Sequence, residues 1–460
     1  MDCDDKDIKL LTDAPIPRLL LHFSLPAILG IISIAMYETI DRIFIGQFAS
    51  DEGLAIIAVG VPFVAFINAC CLMLRIGSSS VFSRALGSGN IAGTERVLAN
   101  AFLLQLFCGV TIAAVGYFFS ELIARVCGAN DDLLAASATY IRIIAVGATF
   151  LFIGNCANSL MRATGEPRKG LLLISGSCGL NIILDAIFVG FYGWGVPGAA
   201  WATVISQGVG AVYGLWHFLG KDKVARLSLT NLSADFTYLQ SIISIGFAYA
   251  MFEINFVVES AISNHMLEAY GGAVALAGVA VVGNCVSFLY TPMTGLDEGV
   301  QPMIGYNFSA GYKERVRKIA YYALAIGLAF FIISFIAIQI GAETIVAMFV
   351  DDDAEFQAVT ARALRITFSV APLMTSMIII PGILSALGEA KYNFILNVII
   401  QLVVQIPALL ILPRFLGADG VWLSFPLVDI VATVLGIYFL LKSFRRHGLM
   451  AAKTSETMAD

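Results

Sequence analysis

The chain repeats itself in apolar helices, one half echoing the other. Arg162-Ala163-Thr164-Gly165-Glu166-Pro167-Arg168-Lys169 returns as Ser385-Ala386-Leu387-Gly388-Glu389-Ala390-Lys391. Gly198-Ala199-Ala200-Trp201 returns as Gly417-Ala418-Asp419-Gly420-Val421-Trp422, Arg142 as Arg365, and Arg96 as Arg315. The offsets are 223 (Glu166 to Glu389), 221 (Trp201 to Trp422), 223 (Arg142 to Arg365) and 219 (Arg96 to Arg315). A period of half an apolar chain encodes two homologous lobes that rock around a central site.

The medium is the bilayer. Residues are 59% hydrophobic and 13% charged, with a mean hydropathy of +0.86. Soluble domains run at roughly 45–50% apolar and about 25% charged. Runs of about 20 apolar residues suffice to span. They predict spans at 18–41, 54–77, 98–119, 133–160, 170–191, 196–219, 238–263, 273–296, 318–340, 360–386, 392–413 and 420–441. The expected fold is an all-α integral membrane protein of twelve transmembrane helices. They form two six-helix lobes related by a pseudo-two-fold axis along the membrane normal. The expected divisions are a tail at 1–17, an N-lobe at 18–219, a linker at 220–235, a C-lobe at 236–443 and a tail at 444–460.

Twenty of the 27 Lys and Arg, including Lys6, Lys9, Lys221, Lys223 and Lys453, fall on one set of alternate loops. The positive-inside rule then makes both termini and the linker cytoplasmic, in a multi-pass protein of the inner (cytoplasmic) membrane. The acidic loops 130–132 and 351–355, with Asp352, face outward. The polar, acidic opening Met1-Asp2-Cys3-Asp4-Asp5 does not read as a signal peptide. Glycosylation patterns at Asn231 and Asn307 fall on predicted cytoplasmic loops and read as unused. A net charge of −6 is no nucleic-acid footprint. The eight Cys form no CxxC pair, and His22, His217, His265 and His447 show no ligand spacing, so no metal site or cofactor is expected.

Ionisable residues inside a span are costly and functional by default. They are Asp41, Arg75, Arg142, Asp185, Glu253, Glu259, Asp297, Glu298 and Arg365. Asp41 and Asp185 share the outer half of one lobe, and Asn181 sits one turn before Asp185 on the same face. Two close carboxylates in a low dielectric do not both ionise easily, which suits a proton carrier. The same oxygens suit a hard cation such as Na⁺. The repeat matches Asp185 with residues 406–408 and Asp41 with Ala261, so the second lobe is expected to lack the pair. Glu253, near mid-membrane, is a candidate partner for a cationic substrate or a buried structural acid. Glu259, Asp297 and Glu298 are candidates for a substrate or second cation site, with Arg75 able to neutralise Asp297 or Glu298 across the lobe interface. Arg142 and Arg365 read as structural anchors. Pro26 permits a bend in the first span.

At these residues the chain resembles the multidrug and toxic compound extrusion family. The likeness rests on Leu25-Pro26-Ala27, Asp41-Arg42-Ile43-Phe44-Ile45-Gly46, Ser83-Arg84-Ala85-Leu86-Gly87 and Arg162-Ala163-Thr164-Gly165-Glu166-Pro167. It continues through Asn181-Ile182-Ile183-Leu184-Asp185, Gly198-Ala199-Ala200-Trp201-Ala202-Thr203, Gly299-Val300-Gln301-Pro302 and Gly305-Tyr306-Asn307. The resemblance implies a V-shaped antiporter that exports small organic cations and drugs against inward H⁺ or Na⁺, with the bilayer as surroundings, as a monomer. It implies a cation site at Asp41, Asn181, Asp185 and Thr203, with Tyr37, Tyr140 and Pro26 as neighbours. Glu253 resembles an acid that one branch of the family carries in its seventh helix. That branch pairs it with an Asp in the tenth, yet 360–386 holds no acid. Arg75, Asp297 and Glu298 stand where small or amide residues are expected. The rival readings are a flippase for lipid-linked saccharides and a channel or receptor. The first needs basic cavities, and most intramembrane charges here are acidic. No motif points to an enzyme.

Overall fold

The computed structural model describes residues 11–48, 50–220, 224–228, 233–349 and 353–450. Lys6, Lys9, Lys221, Lys223, Asp352, Lys453 and the Asn231 pattern lie outside the described residues, as does the side chain of Arg42. Among the described residues there are helices and turns and no strand. That follows from the apolar runs, because backbone in lipid must satisfy its polar groups within the segment.

The first half forms α1 (Ile16–Phe48), α2 (Ser50–Gly87), α3 (Ile91–Phe118), α4 (Asp131–Ala163), α5 (Pro167–Asp185) and α6 (Gly195–Leu219). Helix α5 runs on into a wider π-helical turn, Ala186–Phe191. In the second half the run Phe236–Ser309 holds two spans, α7 (236–271) and α8 (273–309). They meet at Gly272, whose φ of 66° only glycine adopts at no steric cost. Both arms lie along α2, so the run doubles back. Gly246 of α7 packs on Met73, and Gly305 of α8 packs on Ser83. Helix α9 is Lys313–Ala347. Helix α10 is a broken span, Ala354–Thr367 with Ala371–Ala386, bent by 46°. Helix α11 is the stretch Ala390–Leu416, with its own π-helical turn at Ile399–Gln405, and α12 is Ala418–Arg446. Among the described residues nine helical stretches are individually long and apolar enough to cross a membrane. The folded-back arm, the bent α10 and α6 complete the twelve expected from sequence.

Each half builds its own core. Leu98, Phe102, Phe152 and Phe218 belong to one, and Phe331, Leu364, Phe368 and Ile383 to the other. The first turns of the two lead helices cross over. Leu11, Leu19 and Phe23 join the second core, while Ile242 and Ile245 join the first. Arg315 holds the α1 end down, donating to the carbonyls of Leu11 (2.9 Å) and Ala14 (3.0 Å).

The lobes meet along a seam at the end carrying loops 88–90, 310–312 and 387–389. Glycines make it possible. A methyl on Gly77 would strike the carbonyl of Ile242, and one on Gly246 the carbonyl of Met73. Small residues let helix backbones approach this closely. The contact of Gly295 with Ile28 lies fifteen residues before Ala310, about 22 Å along α8. Beyond that depth α7 exposes Ile254, Phe256, Val257 and Val258 around most of its circumference. The lobes are closed at the seam end and diverge toward the other.

Candidate cation and substrate sites

Three clusters of polar side chains sit inside the helical body. The first is in the N-lobe. Asp185 ends the regular part of α5, just before the π-helical turn, a backbone irregularity frequent at functional sites. It is 0% exposed, and neither carboxylate oxygen accepts a hydrogen bond. Asn181, one turn earlier, donates from Nδ2 to Thr203 Oγ1 on α6 at 3.4 Å, and its Oδ1 is also buried without a partner. Asp41 of α1 lies within electrostatic reach of Asp185, and Tyr37 and Tyr140 within reach of Asp41. The fold thus gathers Asp41, Asn181, Asp185, Thr203, Tyr37 and Tyr140. Oxygens predominate, as a proton or a hard cation requires. Pro26 is not part of this group. It lies fifteen residues before Asp41, about 22 Å down the helix, and lines a separate cavity with Arg75 and Arg162.

The second cluster joins the lobes. Glu298 of α8 receives Arg75 Nη1 of α2 on Oε1 at 2.7 Å and Arg162 Nη2 of α4 on Oε2 at 3.0 Å. The side chains are 14%, 13% and 7% exposed, so this is a buried triad. Of the two partners open to Arg75 in the sequence, the fold brings Glu298 to it. Asp297 instead takes Gln301 Nε2 on Oδ2 at 2.7 Å and lies against Gly382 of α10. Glu253 lies within electrostatic reach of Arg75, on the C-lobe side of the seam. Arg162 carried no signal as a site residue, because it stands at a helix end in a run that reads as loop.

The third cluster corrects an expectation. The second lobe does hold a carboxylate pair, on other helices. Gln405 of α11 donates from Nε2 to Glu259 of α7 at 3.2 Å and to Ser424 of α12 at 3.4 Å. Asp429, only 5% exposed, lies within electrostatic reach of Glu259, and Tyr290 of α8 within reach of both. Glu259 therefore stands apart from Glu253, Asp297 and Glu298. The repeat carried the signal: Thr203 and Ser424 are 221 apart, like Trp201 and Trp422, and Asn181 and Gln405 are 224 apart. Matching Asp185 and Asp41 position by position hid it, because Glu259 stands two residues before Ala261 on α7 and the second acid lies on α12.

Two lobes of membrane-spanning helices, meeting at a seam with a buried charge cluster, have the architecture of a two-lobed membrane transporter. The MatE family model matches residues 26–187 and 249–411. The chain belongs to the multidrug and toxic compound extrusion (MatE) family. It is 26% identical to the multidrug export protein MepA of Staphylococcus aureus, over 95% of this chain and 96% of that protein. It is likewise 26% identical to MepA of Staphylococcus saprophyticus, over 92% and 93%. Its fold matches a crystal structure of a MATE P26A mutant at a TM-score of 0.89, with 22% identity over 96% and 99% of the two chains. An outward-facing multidrug resistance MATE transporter also matches at 0.89, with 22% identity over 97% and 99%.

Proposed function

We propose that this protein is a secondary antiporter that exports small organic cations and drugs across the cytoplasmic membrane, driven by inward H⁺ or Na⁺. The observation that carries the reading is Asp185: fully buried, with both oxygens free of hydrogen bonds and a second carboxylate, Asp41, close by. Burying such a group without a counter-charge is expensive. A proton or Na⁺ removes that cost, so the loaded and empty states differ in energy. A cation bound from outside thereby biases the lobes toward another arrangement. The seam-closed form is then the outward-open state: the basic residues flanking loops 88–90 and 310–312, Arg84, Arg96, Lys313 and Arg315, support a cytoplasmic closed end.

The second lobe supports a second reading. Glu259, Asp429, Gln405, Ser424 and Tyr290 supply the oxygens of a further cation site, which would raise the number of ions moved per cycle. The test of the main reading is efflux of tetraphenylphosphonium from proteoliposomes, with a pH gradient imposed in choline buffer and a Na⁺ gradient imposed separately at uniform pH. Export under neither gradient would sink the antiport reading. Export under only one identifies the coupling ion.

A further inference from the structure

We propose that Arg75 and Arg162 form a carboxylate-binding subsite on the N-lobe, held by Glu298 of the other lobe while the seam is closed and offered to an apolar carboxylate when the lobes part. The transport role rests on the antiporter reading above; the binding does not.

The charges are sorted by lobe. Both guanidinium groups belong to α2 and α4 of the first lobe, and Glu298 belongs to α8 of the second. Glu253 and Asp297, the other acids within electrostatic reach of Arg75, are on α7 and α8, also of the second lobe. Asp297, beside Glu298 on α8, is engaged by Gln301 and does not pair with either arginine. Parting the lobes therefore strips both arginines of their counter-charge at once. A bridge needs one cation for one anion. Here two arginines grip the two oxygens of one carboxylate, leaving the first-lobe wall with excess positive charge. Arginine's planar fork suits carboxylates, and Glu298 shows the binding mode directly.

The place is also built to take more than a charge. A cavity of about 60 Å³ adjoins the triad. Asn155 and Asn158 supply polar edges, while Ile31, Ile34, Leu171 and Ile174 supply apolar wall. Glu298 lies twelve residues before Ala310, about 18 Å along α8 from its end at the seam. An unpaired arginine at that depth is costly. A ligand carboxylate that replaces Glu298 offsets the loss, so it lowers the barrier to parting the lobes. The ligand class is a carboxylate with a small apolar body.

The test is equilibrium dialysis of [¹⁴C]benzoate against the purified full-length protein in detergent, with benzyl alcohol as the uncharged control. Wild type should bind benzoate in competition with Glu298. Glu298→Gln, which vacates the fork, should bind it about tenfold more tightly, the scale of one charge-assisted hydrogen bond. Arg162→Lys should weaken binding, and Arg75→Gln should lose it, with benzyl alcohol unaffected throughout. Benzoate should also raise the thermal midpoint of Glu298→Gln more than that of wild type, which reports on folded protein alone. Equal benzoate binding by wild type and folded Glu298→Gln overturns the proposal and leaves the triad as a lobe latch only. Arginine variants that bind as wild type does also overturn it. Binding is read without transport, so benzoate binding by a protein that exports no dye refutes the antiporter reading alone.

Discussion

Asp185 and Asn181 are one turn apart on α5, yet their chemistry depends on two other helices. Thr203 of α6 fixes the Asn181 amide, and Asp41 of α1 brings the second negative charge. Removing one charge should uncouple the ion from the cargo. Asp185→Asn is expected to lower gradient-driven dye export by more than about tenfold, a loss of roughly 1.4 kcal/mol or more in coupling. Expression and thermal midpoint should stay near wild type, because the amide nearly matches the carboxyl in shape. Full export by folded Asp185→Asn would refute the site. If the pair carries protons, acidifying the outside should speed export by wild type and leave Asp185→Asn unchanged, measured as initial rate against external pH. In the second lobe, Asp429→Asn should reduce the ions moved per dye molecule without abolishing export. An unchanged reversal potential in that variant would exclude a role for Asp429 in coupling.

At the scale of elements, the repeat works as matched fastenings. Arg142 of α4 donates to Ser120 Oγ at 2.7 Å and pairs with Glu121, and Arg365 of α10 pairs with Glu343 and donates to the carbonyl of Gln339. Glu166 before α5 meets Lys169 and His217, while Glu389 before α11 meets Arg446 and His447. These motifs recur because the same helix junction is needed in each lobe. Gly272 does a different job: it reverses the chain between α7 and α8 in a φ/ψ region that penalises a side chain by about 1–3 kcal/mol. Gly272→Ala should therefore lower the thermal midpoint, while alanine at exposed Gly176, which has open space around it, should not. Gly77→Leu should do something different. It overfills the seam, where extra methylenes cost about 1–3 kcal/mol. The expected readout is a shift toward the seam-open form, seen as labelling of a cysteine at Ser80, which is buried in the closed seam. No added labelling would count against the seam as the closing surface.

For the whole molecule, the crossing of α1 and α7 into opposite cores matters most. Each lobe carries the first turns of the other's lead helix, so neither moves as a free body at the closed end. Parting the seam therefore has to move these turns as well. Orientation is a property at this scale too, and it is testable by labelling. In a background without native cysteines, Asp132→Cys should react with an impermeant maleimide on intact cells. Ser88→Cys, on a loop at the seam end, should react only after permeabilisation. The opposite pattern would invert the topology.

The number of spans, their apolar character, the duplicated halves and the intramembrane polar residues Asp41, Asn181 and Asp185 were legible in the sequence alone, while Thr203 entered through the family resemblance. Each is a matter of local composition or of a period, and the bilayer converts an apolar run into a helix almost without regard to its neighbours. Tertiary structure decided what those helices bring together. Glu298 meets arginines 136 and 223 residues away, Gln405 joins Glu259 to Ser424, and Leu11 is buried in the far lobe. A period tells which residues correspond, but contacts across a seam depend on how two surfaces pack, and glycines too small to signal anything in a sequence set that distance.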